Sequence, residues 1–265
     1  MSEHETLLIQ VEDGIARITI HRPQVMNALS SQTLEELSRA LRQIEGDSAA
    51  QCVIITGSGD RAFASGADLD EITDLNSAQG RDLSRKGQAL FSSIERFRLP
   101  VIAAINGFCL GGGCELALSC HLRVASSEAR LGQPEVKLGL IPGYGGTQRL
   151  PRLIGRGRAL ELLLTGRMVS AEEALRIGLV NQVVEPEELL PASLELAGKI
   201  LKNGPLAVRR CIEAVNSGLE MPLEQAMELE SLLFGMCVGS EEMKEGIEAF
   251  SAKREPRFPR KETHR

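Results

Sequence analysis

Three consecutive glycines, Gly111, Gly112 and Gly113, stand between an apolar run, Val101–Ile105, and an apolar segment from about Cys114 to Cys120. Inside a helix each glycine costs roughly 1 kcal/mol relative to alanine, and packing alone rarely requires three in a row. A strand that turns at Asn106-Gly107 and feeds a glycine-rich helix start leaves several N–H groups without acceptors, backed by the positive end of the helix dipole. Such an end attracts an anion, and glycine lets the backbone approach it closely. Glu115 follows within Gly-Cys-Glu-Leu-Ala-Leu, apolar on both sides, whereas most glutamates lie on exposed surfaces. Further along, Glu135 follows Pro134 at an expected helix start, and residues 142–146 form a second glycine-rich turn.

The rest of the chain reads as short strands alternating with helices. Residues 7–11 and 15–20 alternate around Asp13-Gly14, a hairpin pattern closed by a primed turn. Ser30 suits the N-cap of a helix whose inward face is Leu34, Leu37, Leu41 and Ile44. Residues 52–56 read as a buried strand, followed by a loop at 63–68, a polar region to about Gly80 and a helix near 82–97. Strands are expected at 122–125 and 180–184, with a helix from the 142–146 turn to about Leu164. Ser170-Ala-Glu-Glu is a capping-box pattern and Gly178 suits a helix C-terminus. This order predicts an α/β chain with parallel pairing. Pro205, Pro222 and Ser240 then each open a helical segment, the last ending near Phe250. The all-helical tail supplies more apolar surface than one thin layer uses, which fits either a core of its own or an oligomer contact.

Composition narrows the function. At 265 residues with 43% hydrophobic and 25% charged side chains, the chain can fill one large core, with or without an accessory part. The net charge of −6 argues against nucleic acid as a general partner. Six cysteines (Cys52, Cys109, Cys114, Cys120, Cys211 and Cys237) lie in apolar contexts without a CxxC pair, and read as buried free thiols of a reducing compartment. The acidic start, Met1-Ser-Glu-His-Glu, shows no leader, and no apolar run approaches the ~20 residues of a membrane span. A cytoplasmic protein is expected. The four histidines (His4, His21, His121 and His264) have no metal-ligand spacing, so no metal is expected, and His121 suits a helix end or the core.

If the 63–68 loop faces the three glycines, the N–H groups of Ala67 and Gly112 can point at one oxygen. That arrangement is an oxyanion hole, one donor of which stabilises a transition state by about 3–4 kcal/mol. Two carboxylates in a small, poorly hydrated site do not both ionise freely, so one holds a proton near neutral pH. Glu115 and Glu135 then offer one base and one acid, as adding or removing water across a double bond requires. Other motifs fail. Gly57-Ser-Gly-Asp-Arg-Ala62 fits a dinucleotide fingerprint, but Phe-Ala-Ser-Gly-Ala is a poor start for the helix it needs. Neither a Walker-type phosphate loop nor a G-x-S-x-G elbow is present.

At these residues the chain resembles the enoyl-CoA hydratase/isomerase (crotonase) superfamily, closest to its hydratases. The matching pieces are His21-Arg-Pro-Gln-Val-Met-Asn-Ala-Leu29, Ala62-Phe-Ala-Ser-Gly-Ala-Asp-Leu69, residues 100–118 and Gly132-Gln-Pro-Glu135. Further on come Ile141-Pro-Gly-Tyr-Gly-Gly-Thr-Gln-Arg-Leu150, Leu164-Thr-Gly166, Gly178-Leu-Val-Asn and Ala249-Phe-Ser-Ala-Lys-Arg254. The resemblance implies a superhelix of repeated ββα units over residues 1–195, with a helical oligomerisation region at 196–265 that builds trimers, often paired into hexamers. It implies Ala67 and Gly112 as oxyanion-hole donors to a thioester carbonyl, and Glu115 and Glu135 as the acid–base pair. Contacts to coenzyme A and substrate are expected from Ala64, Ser65, Ala67, Asp68, Leu69, Gly111, Gly112, Pro142, Gly143 and Lys253. Among these, Gly143 matches a backbone position near the catalytic water, and the backbone at Ser65 and Ala67 one near the adenine.

The activity implied is reversible syn hydration of trans-2-enoyl-CoA thioesters in fatty-acid or branched acyl-CoA degradation. The coenzyme A thioester is substrate and no cofactor is expected. Rival readings are a Δ3,Δ2-enoyl-CoA isomerase, a hydratase of the methylglutaconyl-CoA type, and a non-catalytic acyl-CoA- or RNA-binding protein. Gln24 and Asp70 stand where hydratases commonly place lysines near the phosphates, leaving Arg22, Lys253 or Arg254 as candidates, and His21 and His121 replace the more usual Asn and Asp. Tyr144, Leu75, Leu90 and the 72–86 region are expected to shape the acyl pocket.

Overall fold

The hairpin expected at Asp13-Gly14 forms between β1 (Leu7–Glu12) and β2 (Ile15–Ile20), with both turn residues at positive φ, 50° and 82°. A computed structural model describes residues 4–258, so His264 and the first three residues of the acidic start lie outside it. Helix α1 (Ser31–Gly46) follows, capped by Ser30 Oγ, which accepts from the Thr33 amide at 3.2 Å. Its apolar face is the expected one: Leu34, Leu37, Leu41 and Ile44 are all buried.

Three successive turns of chain then repeat one pattern. β3 (Cys52–Gly57) and β4 (Ala62–Ala64) lead to α2 (Ser77–Glu95), and β5 (Val101–Ile105) and β6 (Phe108–Leu110) to α3 (Gly112–Ser119). β7 (Leu122–Ser126) and β8 (Arg130–Gly132) lead to α4 (Gly146–Ile154) and α5 (Arg156–Thr165), followed by β9 (Met168–Ser170), α6 (Ala171–Arg176) and β10 (Gln182–Val184). The first strand of each turn adds to a six-stranded sheet, order β1-β2-β3-β5-β7-β10, parallel from β2 onward. The second strand joins a four-stranded sheet, order β4-β6-β8-β9, parallel except at β9. This is the ββα superhelix that the resemblance implies.

The small sheet is a correction to the sequence reading, which treated residues 63–68 as loop and saw no strand at 108–110, 130–132 or 168–170. The helix expected to run unbroken to Leu164 divides at Gly155, which sits at φ 83° and ψ 154° and serves as C-cap of α4 and N-cap of α5. Helix α2 begins five residues earlier than expected because Asn76 and Gln79 form a reciprocal capping box.

The main core fills the space between the two sheets and α1 to α6, with Phe63, Phe91, Ile55 and Ile105 fully enclosed. A smaller apolar layer lies on the opposite face of the large sheet, where Leu189 and Ala197 of α7 (Leu189–Leu201) cover Ile54, Ile102 and Val124. The division expected at residue 195 therefore falls inside a helix of the core. What stands off the core is α8 (Pro205–Gly218), α9 (Leu223–Cys237) and α10 (Glu241–Ser251), which together bury only Leu233 and Ala249. Among the described residues no helix is long and apolar enough to cross a membrane. Cys211 is exposed and Cys237 half-buried, so only four of the six thiols are the buried ones expected.

Candidate active site

The parallel strands β4, β6 and β8 end side by side, and each delivers part of one site. Beyond β4 comes Ser65-Gly66-Ala67, beyond β6 the three glycines and Glu115, and beyond β8 Gln133-Pro134-Glu135. Ala67 forms a parallel bridge to Leu29 in which its neighbours make the bonds: Leu29 donates to the Gly66 carbonyl at 2.8 Å and Asp68 to the Leu29 carbonyl at 3.0 Å. The N–H of Ala67 therefore faces the other way, toward α3. Gly112 is the first residue of α3, where amides lack intrahelical acceptors. The two amides are neighbours, since a β-carbon on Gly112 would stand 3.3 Å from the Ala67 nitrogen. The structure thus brings together the two residues that the sequence reading paired as donors.

Both carboxylates close on this pair. A β-carbon on Gly111, which sits at φ 50°, would lie 3.0 Å from Glu135 Oε1. Glu115, one turn into α3 and 1% exposed, accepts through Oε1 from Tyr144 N–H at 2.7 Å and Gly146 N–H at 2.6 Å. Gly146 opens α4, so Glu115 lies between the positive ends of two helices. Burial nevertheless dominates and pushes its carboxyl up to about 7, against those bonds and the Arg149 charge. Glu135 is likewise raised to about 7, by burial first and by the charge of Glu115. Two carboxylates poised around neutrality are suited to divide into one base and one acid.

Gln133, 1% exposed, was missed in the sequence. With its amide nitrogen facing Glu135 it donates to Oε1 at 2.9 Å and Oε2 at 3.2 Å, which fixes that carboxylate. Its one signal is position: a polar residue directly after a strand and two before the acid. Arg149 was also missed. It donates to the Tyr144 carbonyl at 2.9 Å and is held by Glu95 and Ser92 of α2.

A cleft of about 1220 Å³ opens onto the pair, lined by Glu115, Glu135 and, of the other residues expected there, Ser65, Ala67, Leu69, Gly111, Gly112, Pro142 and Gly143. Ala64 is instead enclosed in the core, and Asp68 is held by Arg22 at 2.9 Å. Lys253 is exposed beyond α10 and does not line the cleft. Of the cations suggested for phosphates, Arg22 is thus engaged with Asp68, and Arg254 with Glu245 at 2.6 Å. Tyr144 and Leu75 line the cleft as expected, whereas Leu90 is buried behind it. His121 is structural: its Nδ1 accepts from the Val101 amide at 2.9 Å and its Nε2 meets the Glu95 carbonyl at 3.1 Å.

The family model for enoyl-CoA hydratase/isomerase matches residues 10–261. This chain belongs to that family. It is 48% identical to a crotonyl-CoA hydratase of Syntrophomonas wolfei, over 96% of this chain and 98% of that protein. It is 47% identical to a short-chain-enoyl-CoA hydratase of Clostridium acetobutylicum, over 95% and 97% of the two chains. Among solved structures, an enoyl-CoA hydratase from Bacillus anthracis superposes with a TM-score of 0.93 at 41% identity, covering 97% of this chain and 100% of that one. This member of the hydratase/isomerase family therefore matches these relatives over nearly its full length, and the solved structure in its fold as well.

Proposed function

We propose that this protein is an enoyl-CoA hydratase that adds water reversibly, and syn, across the C2–C3 bond of trans-2-enoyl-CoA thioesters. One observation supports the reading above others: two carboxylates, both raised by burial to about 7, line the same cleft as the neighbouring backbone of Ala67 and Gly112. On this reading Glu115 takes a proton from water as its oxygen bonds to C3. The alkene electrons move onto the thioester oxygen, where the Ala67 and Gly112 amides hold the enolate. Protonated Glu135 then delivers its proton to C2 as the enolate collapses. The proton gained by Glu115 and lost by Glu135 is restored through solvent, and the coenzyme A thioester is the only cofactor-like group involved.

The names of the two relatives favour a short acyl chain. Isomerisation needs one carboxylate, whereas two line this cleft, which supports hydration. A role in acyl-CoA degradation, a cytoplasmic setting and assembly into trimers, or hexamers of paired trimers, through α8 to α10 complete the proposal. The test is crotonyl-CoA hydration across the pH range. Wild type should give a bell-shaped kcat/KM profile centred near 7, whose limbs belong to the coupled pair rather than to either residue. Glu115→Gln and Glu135→Gln should each lose on the order of 10²–10⁴-fold in kcat. Variants that keep most of the turnover would overturn the assignment, and proton exchange on a 3-enoyl-CoA without hydration would favour the isomerase.

A further inference from the structure

The peptide unit joining Gly143 to Tyr144 is gripped on both sides. Its N–H donates to Glu115 Oε1 at 2.7 Å. Its carbonyl accepts from Ser84 Oγ at 2.5 Å and from Gln88 Nε2 at 3.0 Å. Ser84 and Gln88 lie one turn apart on α2, on the face that lines the cleft. Gln88 Nε2 also lies 3.1 Å from Ser84 Oγ, so the two side chains act as one donor group. The peptide links this group to the carboxylate in a continuous chain of hydrogen bonds.

Such chains are cooperative: a donor on a peptide oxygen polarises the conjugated unit and strengthens its N–H as a donor. A stronger bond to the ionised form of a carboxylate favours that form. Ser84 and Gln88 carry no charge, and the hydrogen-bonded route from them to Glu115 runs through this peptide. The charged and titratable groups that face Glu115 are Glu135 from beyond β8, the Tyr144 phenol, and Arg149 of α4 with Glu95 of α2 behind it. Helix α3 itself contributes no other charged residue.

We propose that Ser84 and Gln88 are positioning residues of the hydration reaction, orienting Glu115 and favouring its ionised form through the Gly143–Tyr144 peptide. This rests on Glu115 acting as the base, as proposed above. The two side chains need not touch the reacting atoms. Their effect lies in how readily Glu115 gives up its proton and how steadily it faces the water.

The chain contains one tyrosine, so labelling with ¹⁵N-tyrosine gives a single amide signal, from the N–H that donates to Glu115. Its chemical shift is followed against pH in unliganded protein, for wild type and for Ser84→Ala/Gln88→Leu. Each is also prepared with Glu135→Gln, which removes the coupled neighbour. The midpoint should rise in the double variant by on the order of half to one pH unit. The low-pH limb of kcat/KM for crotonyl-CoA, which belongs to the coupled pair, should move up in the same direction, with KM within about two-fold of wild type. Ser84→Thr, which keeps the hydroxyl, should behave as wild type. Gln88→Leu alone, at an exposed position, should move the midpoint in the same direction should the double variant fold poorly.

An unmoved midpoint overturns the proposal, including the case where KM and acyl-length preference change, since the residues then merely line the pocket. A midpoint that moves in a protein hydrating no enoyl-CoA supports the relay and removes the function proposed for it.

Discussion

Gly113 and Ala64 are in direct backbone contact: a β-carbon on Gly113 would stand 2.1 Å from the Ala64 carbonyl oxygen. This contact clamps α3 to the end of β4 and so sets Gly112 beside Ala67. The adjacent glycine differs, because a β-carbon on Gly112 would meet the Tyr144 ring at 3.2 Å and the Ala67 nitrogen at 3.3 Å. Gly113→Ala drives a methyl into backbone that cannot yield, and should destabilise the fold by about 3 kcal/mol or more. Gly112→Ala should fold with a near-normal melting temperature and lose on the order of 10²–10³-fold in kcat, its methyl standing beside the amide pair. Urea melts and hydration rates on the same two proteins separate the structural glycine from the functional one.

The buried acid carries a stability cost with a definite sign. The carboxyl of Glu115 is raised from 4.5 to about 7 in the folded protein. Below 4.5 it is protonated in folded and unfolded chains alike, so burial of the charge costs nothing there. As pH rises from 4.5 through 7 the unfolded chain ionises first, and stability falls until the folded group has ionised too. Glu115→Gln removes that slope while its side-chain oxygen still accepts from Tyr144 and Gly146. The variant should gain stability relative to wild type on going from pH 4 to pH 8, by up to about 3 kcal/mol. Equal pH dependence of the two proteins in chemical denaturation would refute it.

The far end of α3 holds another buried charge. Arg123, 5% exposed, donates to the Leu179 carbonyl at 2.8 Å and the Cys120 carbonyl at 2.6 Å, and reaches that of Ala117 at 3.4 Å. Burial lowers its pKa, and the carbonyls of Ala117 and Cys120 that face it stand at the negative end of α3. Arg123→Met keeps the bulk but strands these acceptors, which should cost about 3 kcal/mol. Glu115 lies at the other end of the helix, so the activity of the folded fraction should stay close to wild type. Denaturation curves paired with activity per folded molecule test both halves.

How legible the site was in the sequence follows from element length. Glu115 and Gly112 stand out because an acid and three glycines interrupt an apolar run, whereas Glu135 is marked by Pro134 before it and Ala67 only by the small-residue loop at 63–68. The sheet that gathers them does not, because three-residue strands such as Phe108–Leu110 and Arg130–Gly132 are too short to show any period. Their pairing is decided by tertiary contact, as when Asn27 Nδ2 donates to the Ala62 carbonyl at 2.7 Å from 35 residues away. Gln133 and Arg149 stayed hidden for a related reason: their partners, Glu135 and the Tyr144 carbonyl, become significant only once the strands have placed them. The exposed Cys211 shows the opposite error, a residue judged by its apolar neighbours although it lies on α8, which buries none of its residues.

That shortage of burial in the C-terminal helices leads to the last prediction. Leu223 is 75% exposed and Phe234 69%, both on α9, and Phe250 of α10 is 87% exposed. Apolar side chains this open, and this many, form patches that soluble monomers rarely leave in contact with water. Covering them with further copies of the chain removes roughly 25 cal/mol of unfavourable free energy per Å² of apolar surface. Phe234→Glu and Phe250→Glu place charges where an apolar contact is expected. If α8 to α10 hold the proposed trimer together, wild type should sediment as a trimer or hexamer and these variants as smaller species at the same concentration. Because the main core does not rely on either side chain, their secondary structure should remain that of wild type. Sedimentation velocity that finds wild type already monomeric, or the variants unchanged in mass, would remove the assembly role from this region.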